Sequence, residues 1–391
     1  MRTGPAPVSA PPPGLTRLTL TDVRNYAGLR LDLSAGLIAL VGSNGAGKTN
    51  LLEAISLLSP GRGLRGAAYE TVGRLGGSGA WAIAAEVETP LGDHAIGTGW
   101  TPSSEDGEPA QSRMVLIDGR AQKGSGALGH VLRILWLTPA MDRLFAGPAG
   151  DRRRFFDRLV AAFDPDHAAR VAAFERVMRE RNLLLADMTS DGHWLASLEA
   201  SMAEQAVAIA AARNEAVATL SRHMAAARDD SAFPWAEIAL AGDIEALVSA
   251  MPAVRAEDEY RRLLADSRKA DRAAGRTLSG PHRSDLLVRH GPKDMAADLC
   301  STGEQKALLV GLILAEAQSL REVMGWAPLL LLDEVAAHLD RARRQALFAH
   351  LRRLGTQVWM TGTDREVFDG LGEGSALYEV AAGRMQEMDM A

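Results

Sequence analysis

The chain is predicted to adopt an α/β fold, in which a mixed sheet with flanking helices is interrupted by an inserted helical lobe. Three observations lead to this prediction. A short apolar run at 37–41 leads into a glycine-rich loop and then into a stretch with helical spacing. A second apolar run at 329–332 ends in two adjacent acidic residues. Between these two runs, residues 151–274 show mainly the spacing of helices.

These patterns divide the chain into three parts. Residues 1–14 form a Pro/Ala-rich stretch that is predicted to be a disordered tail. Residues 15–150 and 275–391 are assigned to the α/β head, and residues 151–274 to the inserted lobe. The apolar positions of the lobe do not sustain heptads with charged flanks, so a long coiled coil is not expected.

Bulk composition excludes several classes of protein. No apolar run is long enough to cross a bilayer, and the N-terminal stretch lacks the apolar segment of a signal peptide, so a cytoplasmic protein is predicted. Cys300 is the only cysteine, which excludes an internal disulfide and argues against a cysteine-based zinc cluster. The net charge is −6, so any contact with DNA must come from a local basic patch and should weaken strongly with salt.

Strands are expected where apolar residues alternate or form short buried runs, and helices where their spacing is three to four. The first two strands are joined around 24–26, and residues 277–288 are expected to return to the core fold. Further strands are predicted at 37–41, 81–87, 114–117, 131–137, 327–332 and 357–360, the last being the final strand of the sheet. Helices are predicted at 49–58, 151–163, 165–188, 194–227 and 341–354, with one more beginning at Ser301.

The glycine-rich loop fits the pattern G-x-x-x-x-G-K-[ST] in full and lies between a predicted strand and a predicted helix. Its glycines allow backbone N–H groups to turn toward phosphate oxygens, and the helix adds the positive end of its dipole. Lys48 is expected to bridge the β- and γ-phosphates of ATP, and Thr49 to bind Mg²⁺. The residues assigned to nucleotide binding here are Gly42, Ser43, Asn44, Gly45, Ala46, Gly47, Lys48, Thr49 and Asn50.

The apolar run 329–332 predicts a fully buried parallel strand, and its two acids follow at the carboxyl end, where open α/β sheets bind ligands. Asp333 is expected to hold Mg²⁺, and Glu334 to orient or deprotonate the attacking water. Together with Lys48, these two acids are the predicted catalytic residues.

A third segment, from Ser301 to Gln305, has two interpretations. Ser301 and Glu304 have the spacing of a capping box, so the segment could be only a helix start. A helix start with free N–H groups is also an anion site. The neighbouring Cys300 is expected to be a small residue packed under this helix start.

Taken together, these residues resemble the ABC-type ATPase superfamily and, within its SMC/Rad50-like branch, the RecF family of bacterial DNA replication and repair proteins. The resemblance covers nearly the whole chain, and the segments that carry it are 24–26, 42–58, 136–139, 151–159, 280–286, 301–305 and 331–340.

The resemblance implies an ABC-type P-loop ATPase head that forms a homodimer with two ATP molecules sandwiched between the subunits. In such a dimer the partner's nucleotide is contacted in trans by Ser301, Gly303, Gln305 and Asp340, while Arg24 and Asn25 belong to the subunit's own site. The family also implies ATP and Mg²⁺ as cofactors, weak DNA-dependent ATP hydrolysis, and binding to DNA at single-strand gaps or junctions. Its implied partners are RecO and RecR, with which it aids RecA loading and the SOS response.

The chain departs from the family pattern at several positions. Glu304 stands where the family usually has Gln, Ala337 replaces a serine of the D-loop, and Ser284 replaces an acid. Residues 138–140 contain no counterpart of the superfamily's Gln-loop glutamine, and 361–363 contain no switch histidine, although Thr363 is placed to contact the γ-phosphate.

DNA contacts are assigned to a basic run on a predicted helix, whose alternative role is a solvated face or packing salt bridges. Two other functions remain open: the ATPase subunit of a membrane transporter, which the long separation of Lys48 from Ser301 disfavours, and a DNA-binding module with vestigial hydrolysis, which Glu334 disfavours. The basic run consists of Arg152, Arg153, Arg154 and Arg158.

Overall fold

A computed structural model describes residues 14–34, 36–102, 112–187, 191–226, 232–336 and 339–389. The predicted tail therefore lies outside the described residues, except for Gly14, which begins the first strand. Ala337 also lies outside them.

The strands and helices predicted for the N-terminal part are present in the predicted order, and two further strands, at 92–100 and 120–121, lie among them. The strands are β1 (Gly14–Val23), β2 (Tyr26–Asp32), β3 (Leu37–Val41), β4 (Trp81–Thr89), β5 (Gly92–Trp100), β6 (Met114–Ile117), β7 (Arg120–Ala121), β8 (Ile134–Leu137), β9 (Ala236–Ala241), β10 (Asp285–His290), β11 (Met295–Ala296), β12 (Leu329–Leu332), β13 (Val358–Gly362), β14 (Ser375–Ala381) and β15 (Arg384–Met388). The helices are α1 (Lys48–Ser56), α2 (Ala149–Phe163), α3 (His167–Ala186), α4 (Gly192–Ala226), α5 (Asp243–Ala250), α6 (Ala253–Ala274), α7 (Thr302–Met324) and α8 (Arg341–Leu354).

The first of two compact units comprises the described residues up to Pro139 and from Leu320 onward. It contains an antiparallel sheet of order β2-β1-β4-β5-β6-β7 and a second sheet of order β15-β14-β3-β13-β12-β8. In the second sheet all neighbours from β14 to β8 are parallel, and only β15 is antiparallel. The mixed sheet with flanking helices is therefore present as predicted.

The central strands of the mixed sheet show why this sequence forms it. Every residue of β3, β12 and β13 is buried, which fits their near-continuous apolar sequences and the covered faces of a parallel sheet. β13 lies between β3 and β12, so the carboxyl ends of all three strands meet at one edge of the sheet. This edge is where the glycine loop and the acidic pair begin.

The second unit spans residues 140–319 and is mainly helical. Its apolar core is formed by α3, α4, α5 and α6, and includes Phe174, Met202, Ile209, Tyr260 and Leu264. A small antiparallel sheet of order β11-β10-β9 belongs to this unit. Among the described residues, no helix is both long and apolar enough to cross a membrane.

Three differences from the sequence predictions concern the limits of the head and its mixed sheet. The strand predicted at 131–137 begins only at Ile134. The stretch 277–288 does not rejoin the head sheet, because β10 pairs with β9 and β11 instead; the unit boundaries accordingly fall at Pro139 and Leu320 rather than at 150 and 275. β13 is not the final strand, since β14 and β15 follow it and extend the sheet beyond β3.

Candidate nucleotide site

The glycine loop connects the end of β3 to the start of α1, and two of its glycines are required by close approach. Gly42 has φ 153° and a Cβ there would lie 2.4 Å from the carbonyl oxygen of Val380. Gly47 has φ 118° and a Cβ there would lie 2.4 Å from Nδ2 of Asn25. A side chain at either position would force the loop away from its neighbours, which explains the glycine pattern in physical terms.

Lys48 is buried inside the loop that precedes it. Its Nζ donates to the carbonyl oxygens of Gly42 at 2.6 Å and of Ser43 at 3.0 Å. Burial lowers the pKa of Lys48, while the negative charges of Glu334 and Asp333 act in the opposite direction. No side chain caps the N-terminus of α1, which leaves its first N–H groups available to an anion.

Asp333 follows β12 and lies beside Thr49, the residue predicted to share a metal ion with it. Oγ1 of Thr49 is 3.0 Å and 3.1 Å from the two carboxylate oxygens of Asp333. Thr361, at the end of β13, donates from Oγ1 to Oδ1 of Asp333 at 2.7 Å. Burial raises the pKa of Asp333, and the hydrogen bonds from Thr361 and Thr49 partly offset this.

Glu334 is half-buried and has an unusual backbone conformation for a residue with a side chain. Its φ is 54°, in the left-handed region. Its N–H donates to Oγ1 of Thr361 at 2.8 Å. The two acids of the motif therefore share a single hydroxyl as a hydrogen-bond partner.

The turn between β1 and β2 braces the glycine loop from outside. Nδ2 of Asn25 donates to the carbonyl oxygen of Ala46 at 3.1 Å, and the Tyr26 hydroxyl donates to that of Gly47 at 3.0 Å. These two hydrogen bonds tie the loop to the turn between β1 and β2 and so help to fix its conformation. Asn25 was predicted to contact the nucleotide, and the structure shows it holding the loop.

Arg24 and Asn50, also predicted at the nucleotide, have partners within the protein. Arg24 makes a two-pronged ion pair with Glu53 of α1, at 2.8 Å and 2.6 Å. Arg65 donates to both Glu53 and Asn50, at 2.7 Å and 2.8 Å. Asn50 in turn donates to Oδ1 of Asn25 at 2.8 Å, so these side chains form one continuous network beside the loop.

The segment at the start of α7 forms the predicted capping box. The N–H of Ser301 donates to Oε2 of Glu304 at 2.9 Å, and the N–H of Glu304 lies 3.4 Å from Oγ of Ser301. Glu304 also pairs with Lys293, and these hydrogen bonds lower the pKa of Glu304 to about 2. A Cβ added to Gly303 would meet no neighbouring atom within 4 Å, so no other part of the described chain covers this position.

The other predicted cross-dimer residues have internal contacts. Nε2 of Gln305 donates to the carbonyl oxygen of Cys300 at 2.9 Å, and Gln305 is buried. Cys300 is itself buried, as expected for a small residue under a helix start, and burial raises its pKa. Asp340 caps its own helix, accepting from the N–H of Arg343 at 2.8 Å.

The basic run on α2 is less available than its sequence indicates. Arg152 makes a two-pronged ion pair with Asp285, at 2.8 Å and 2.6 Å, and Arg153 donates to the carbonyl oxygen of Ser284 at 2.7 Å. Arg158 packs over the ring of Phe155, and burial lowers its pKa. Arg154 is exposed and pairs with Asp151 on its own helix.

Thr361 and Glu53 are two buried polar residues of the site to which the sequence analysis assigned no role. Both are buried, and each holds two groups of the site together. The sequence contained a signal for Thr361, because this residue lies at the end of an apolar strand, where the superfamily has its switch histidine. Thr363, proposed to reach the γ-phosphate, donates to its neighbour Asp364 at 2.7 Å.

Comparisons with known proteins agree with this arrangement. The family described as RecF/RecN/SMC N terminal domain matches residues 14–386. The DNA replication and repair protein RecF of Mesorhizobium japonicum is 54% identical over 91% of this chain and 93% of its own length. The corresponding protein of Rhizobium meliloti is 52% identical over 95% of this chain and 98% of its own length.

Two solved structures share the fold. The recombination mediator protein RecF-ATP in the RecFOR pathway has a TM-score of 0.85, with 22% identity and coverage of 98% of this chain and 100% of that one. The Smc head domain of Pyrococcus furiosus, bound to the C-terminal domain of ScpA, has a TM-score of 0.53, with 16% identity and coverage of 97% and 96%. From its sequence relatives, the chain belongs to the RecF family of DNA replication and repair proteins.

Proposed function

We propose that this chain is a DNA-binding ATPase of recombination, repair and replication, in which ATP binding drives formation of a homodimer. The observation that carries the proposal is the convergence of three strand ends, β3, β12 and β13, on one polar site. There a glycine loop surrounds the buried Lys48, and Asp333, the first acid of the pair, lies beside Thr49.

The residues present fit Mg²⁺ and a nucleoside triphosphate. The hydroxyl of Thr49 and the carboxylate of Asp333 are hard oxygen ligands already within 3.1 Å of each other. When bound, Mg²⁺ would neutralise charge on the phosphates. Lys48 would exchange its two carbonyl contacts for phosphate oxygens, which are stronger partners for an ammonium group. Glu334 would orient the attacking water or accept its proton.

The proposed dimer places the start of α7 against the nucleotide of the other subunit. Support comes from the open space at Gly303 and from the uncovered position of Ser301 at a helix N-terminus. Gln305 and Asp340 are bound internally, so we assign them to shaping the contact surface rather than to the nucleotide itself. ATP would favour the closed dimer because it binds that state more tightly, and hydrolysis would then reset it.

The cellular role is proposed from the names of the relatives and of the structural neighbour, which belongs to the RecFOR pathway. We propose binding to DNA at single-strand gaps or junctions in the cytoplasm, cooperation with RecO and RecR in loading RecA, and a part in the SOS response. The exposed Arg154 is the member of the basic run best placed to meet a phosphate.

The test is solution mass by light scattering, with and without Mg·ATP, on the wild type and on Glu334→Gln. A monomer that becomes a dimer with ATP, and remains a dimer in Glu334→Gln after the wild type has returned to monomer, would support the switch. A monomer under every condition would overturn the dimer mechanism and leave the start of α7 as a capped helix only.

The rate of ATP hydrolysis distinguishes an active ATPase from a DNA-binding module with vestigial hydrolysis. If Glu334→Gln hydrolyses ATP as fast as the wild type, the acid has no catalytic role and the chain is a nucleotide-binding module. Co-purification with a membrane protein would instead support the alternative function, the ATPase subunit of a membrane transporter.

A further inference from the structure

Thr361 occupies the one strand end between the glycine loop and the acidic pair. It is fully buried near the end of β13, which separates β3 from β12 in the sheet. Its Oγ1 is 2.8 Å from the N–H nitrogen of Glu334 and 2.7 Å from Oδ1 of Asp333. A backbone N–H can only donate, so the hydroxyl accepts from Glu334 and its single proton goes to Asp333. The direction of both hydrogen bonds is therefore fixed.

The hydrogen bond from the Glu334 N–H stabilises a backbone conformation that is unfavourable on its own. A residue with a Cβ is disfavoured at φ 54°, and such conformations persist where the surroundings impose them. The buried hydroxyl of Thr361 supplies an acceptor for the Glu334 N–H in this conformation. The direction of the Glu334 side chain is set by the same backbone, so the hydroxyl orients the acid through its main chain.

The bond to Asp333 differs from the one that Thr49 makes. Oγ1 of Thr49 is nearly equidistant from both carboxylate oxygens and belongs to a predicted metal ligand. Thr361 contacts Oδ1 alone and is not a candidate ligand. Thr361 can therefore keep its bond when Thr49 turns toward a metal ion, and it fixes the carboxylate in one orientation.

We propose that Thr361 is a positioning residue for ATP hydrolysis, whose one hydroxyl aligns the carboxylate of Asp333 with the backbone of Glu334. This inference rests on the proposed ATPase function. A shared hydroxyl couples the two acids, so the metal ligand and the residue that activates water are set by the same group. Neither acid could be displaced without disturbing the other.

The experiment compares Thr361→Val, which keeps the shape and removes the hydroxyl, with Thr361→Ser, which keeps the hydroxyl. For Thr361→Val we expect kcat for ATP to fall about 10–100-fold, the usual effect of removing a partner of a metal-binding group. The Mg²⁺ concentration for half-maximal activity should rise. Binding of a fluorescent ATP analogue without Mg²⁺ should stay at the wild-type value, because the glycine loop is untouched. Thr361→Ser should restore both turnover and Mg²⁺ dependence.

Wild type and Glu334→Gln are measured alongside, which separates the two possible failures. If the wild type does not hydrolyse ATP, or if Glu334→Gln matches it, the proposed function fails. If those two behave as expected and Thr361→Val equals the wild type in kcat and Mg²⁺ dependence, the positioning role is wrong. Adding Thr361→Val to Glu334→Gln should cost less turnover than in the wild type, because both act on one step. Should Thr361→Val fail to fold, Thr361→Cys, with its weak donor, is expected to show the same loss.

Discussion

Two buried cations, Lys48 in the first unit and Arg213 in the second, differ in the partners that the described chain gives them. In the nucleotide site the buried ammonium of Lys48 donates to two carbonyl oxygens of its own loop. In the helical unit the buried guanidinium of Arg213 bonds both carboxylate oxygens of Asp157, one of Glu245 and the carbonyl of Pro281, at 2.7–3.0 Å. Within the part of the chain that the structure describes, no carboxylate lies within hydrogen-bonding distance of the first cation, whereas two bond the second.

Arg181, also in the helical unit, is a second buried cation that is paired with two carboxylates. Its guanidinium is fully buried and bonds Glu199, Asp271, Thr277 and the carbonyl oxygen of Leu264. The comparison teaches that a buried charge alone does not identify a ligand site. The protein itself supplies the partners of a structural charge, whereas a ligand supplies those of a charge in a binding site. Mutations in the two regions should therefore affect different measurements.

The largest effect is expected from Arg181→Met. It leaves the carboxylates of Glu199 and Asp271 buried with a partner missing, which costs about 3–5 kcal/mol of unfolding free energy. Urea unfolding at neutral pH measures this loss. The control is Arg268→Met, because Arg268 also pairs with Glu199 but is partly exposed, so its loss should be smaller. Binding of ATP by folded Arg181→Met should be unchanged; a parallel loss of ATP affinity would contradict the separation of roles.

Lys48→Met should show the opposite result. Removing a charged partner of the phosphates costs about 1.5–3 kcal/mol, or roughly 10–100-fold in the Kd for ATP. The unfolding free energy without nucleotide should stay the same or rise, because no carboxylate of the described residues is bonded to the buried cation. Isothermal titration with ATP and urea unfolding of the same sample give both quantities. A large loss of stability would mean that Lys48 is a structural charge like Arg181.

The parts of the site that the sequence predicted are those whose chemistry determines the local spacing. A glycine loop must place Gly42 and Gly47 where a side chain would clash, and a metal-binding acid must follow a buried strand. The same reasoning predicted the capping box at Ser301, since both of its members lie within one turn. These features depend on residues close together in the chain, so one sequence is sufficient to find them.

The features that were missed depend on strand neighbours distant in sequence. Thr361 matters because β13 lies between β3 and β12, and no local pattern states the order of strands. The expected return of 277–288 to the core fold was wrong for the same reason, since β10 pairs with β9 and β11. Likewise, the basic run left DNA contacts and packing salt bridges open, because the Asp285 that pairs with Arg152 is 133 residues away in the chain.

A third prediction extends the comparison to DNA binding, where the exposed Arg154 and the ion-paired Arg152 should contribute differently to the salt dependence of affinity. Arg154→Ala removes an exposed charge and is expected to reduce the slope of log affinity against log salt by about 1 for a DNA with a single-strand gap. Arg152→Ala should leave that slope unchanged and lower stability instead, because it deprives Asp285 of its ion pair. Fluorescence anisotropy across a salt series tests both. Equal slopes for wild type and Arg154→Ala would remove this helix from the DNA interface.

The smallest effect is expected at Glu304, a charge satisfied within its own chain but on the surface. Its pKa is lowered from 4.5 to about 2, first by Lys293 and then by Ser301. A lowered folded-state pKa stabilises the protein above pH 4.5, and this contribution is lost as pH falls toward 2. Glu304→Gln should therefore lower Tm slightly at pH 7 and low salt, and the difference from wild type should shrink in acid.

Salt distinguishes the two partners of Glu304. The pair with Lys293 is exposed and should weaken at high ionic strength, whereas the Ser301 N–H lies within the same helix start and is less affected. Scanning calorimetry of both proteins in low and high salt gives the comparison. A Tm difference that persists unchanged in high salt would assign the stabilisation to the bond from the Ser301 N–H, which is charge-assisted with glutamate and neutral with glutamine. Because glutamine can still accept the Ser301 N–H, we expect Glu304→Gln to keep ATP-dependent dimerisation, whichever partner dominates.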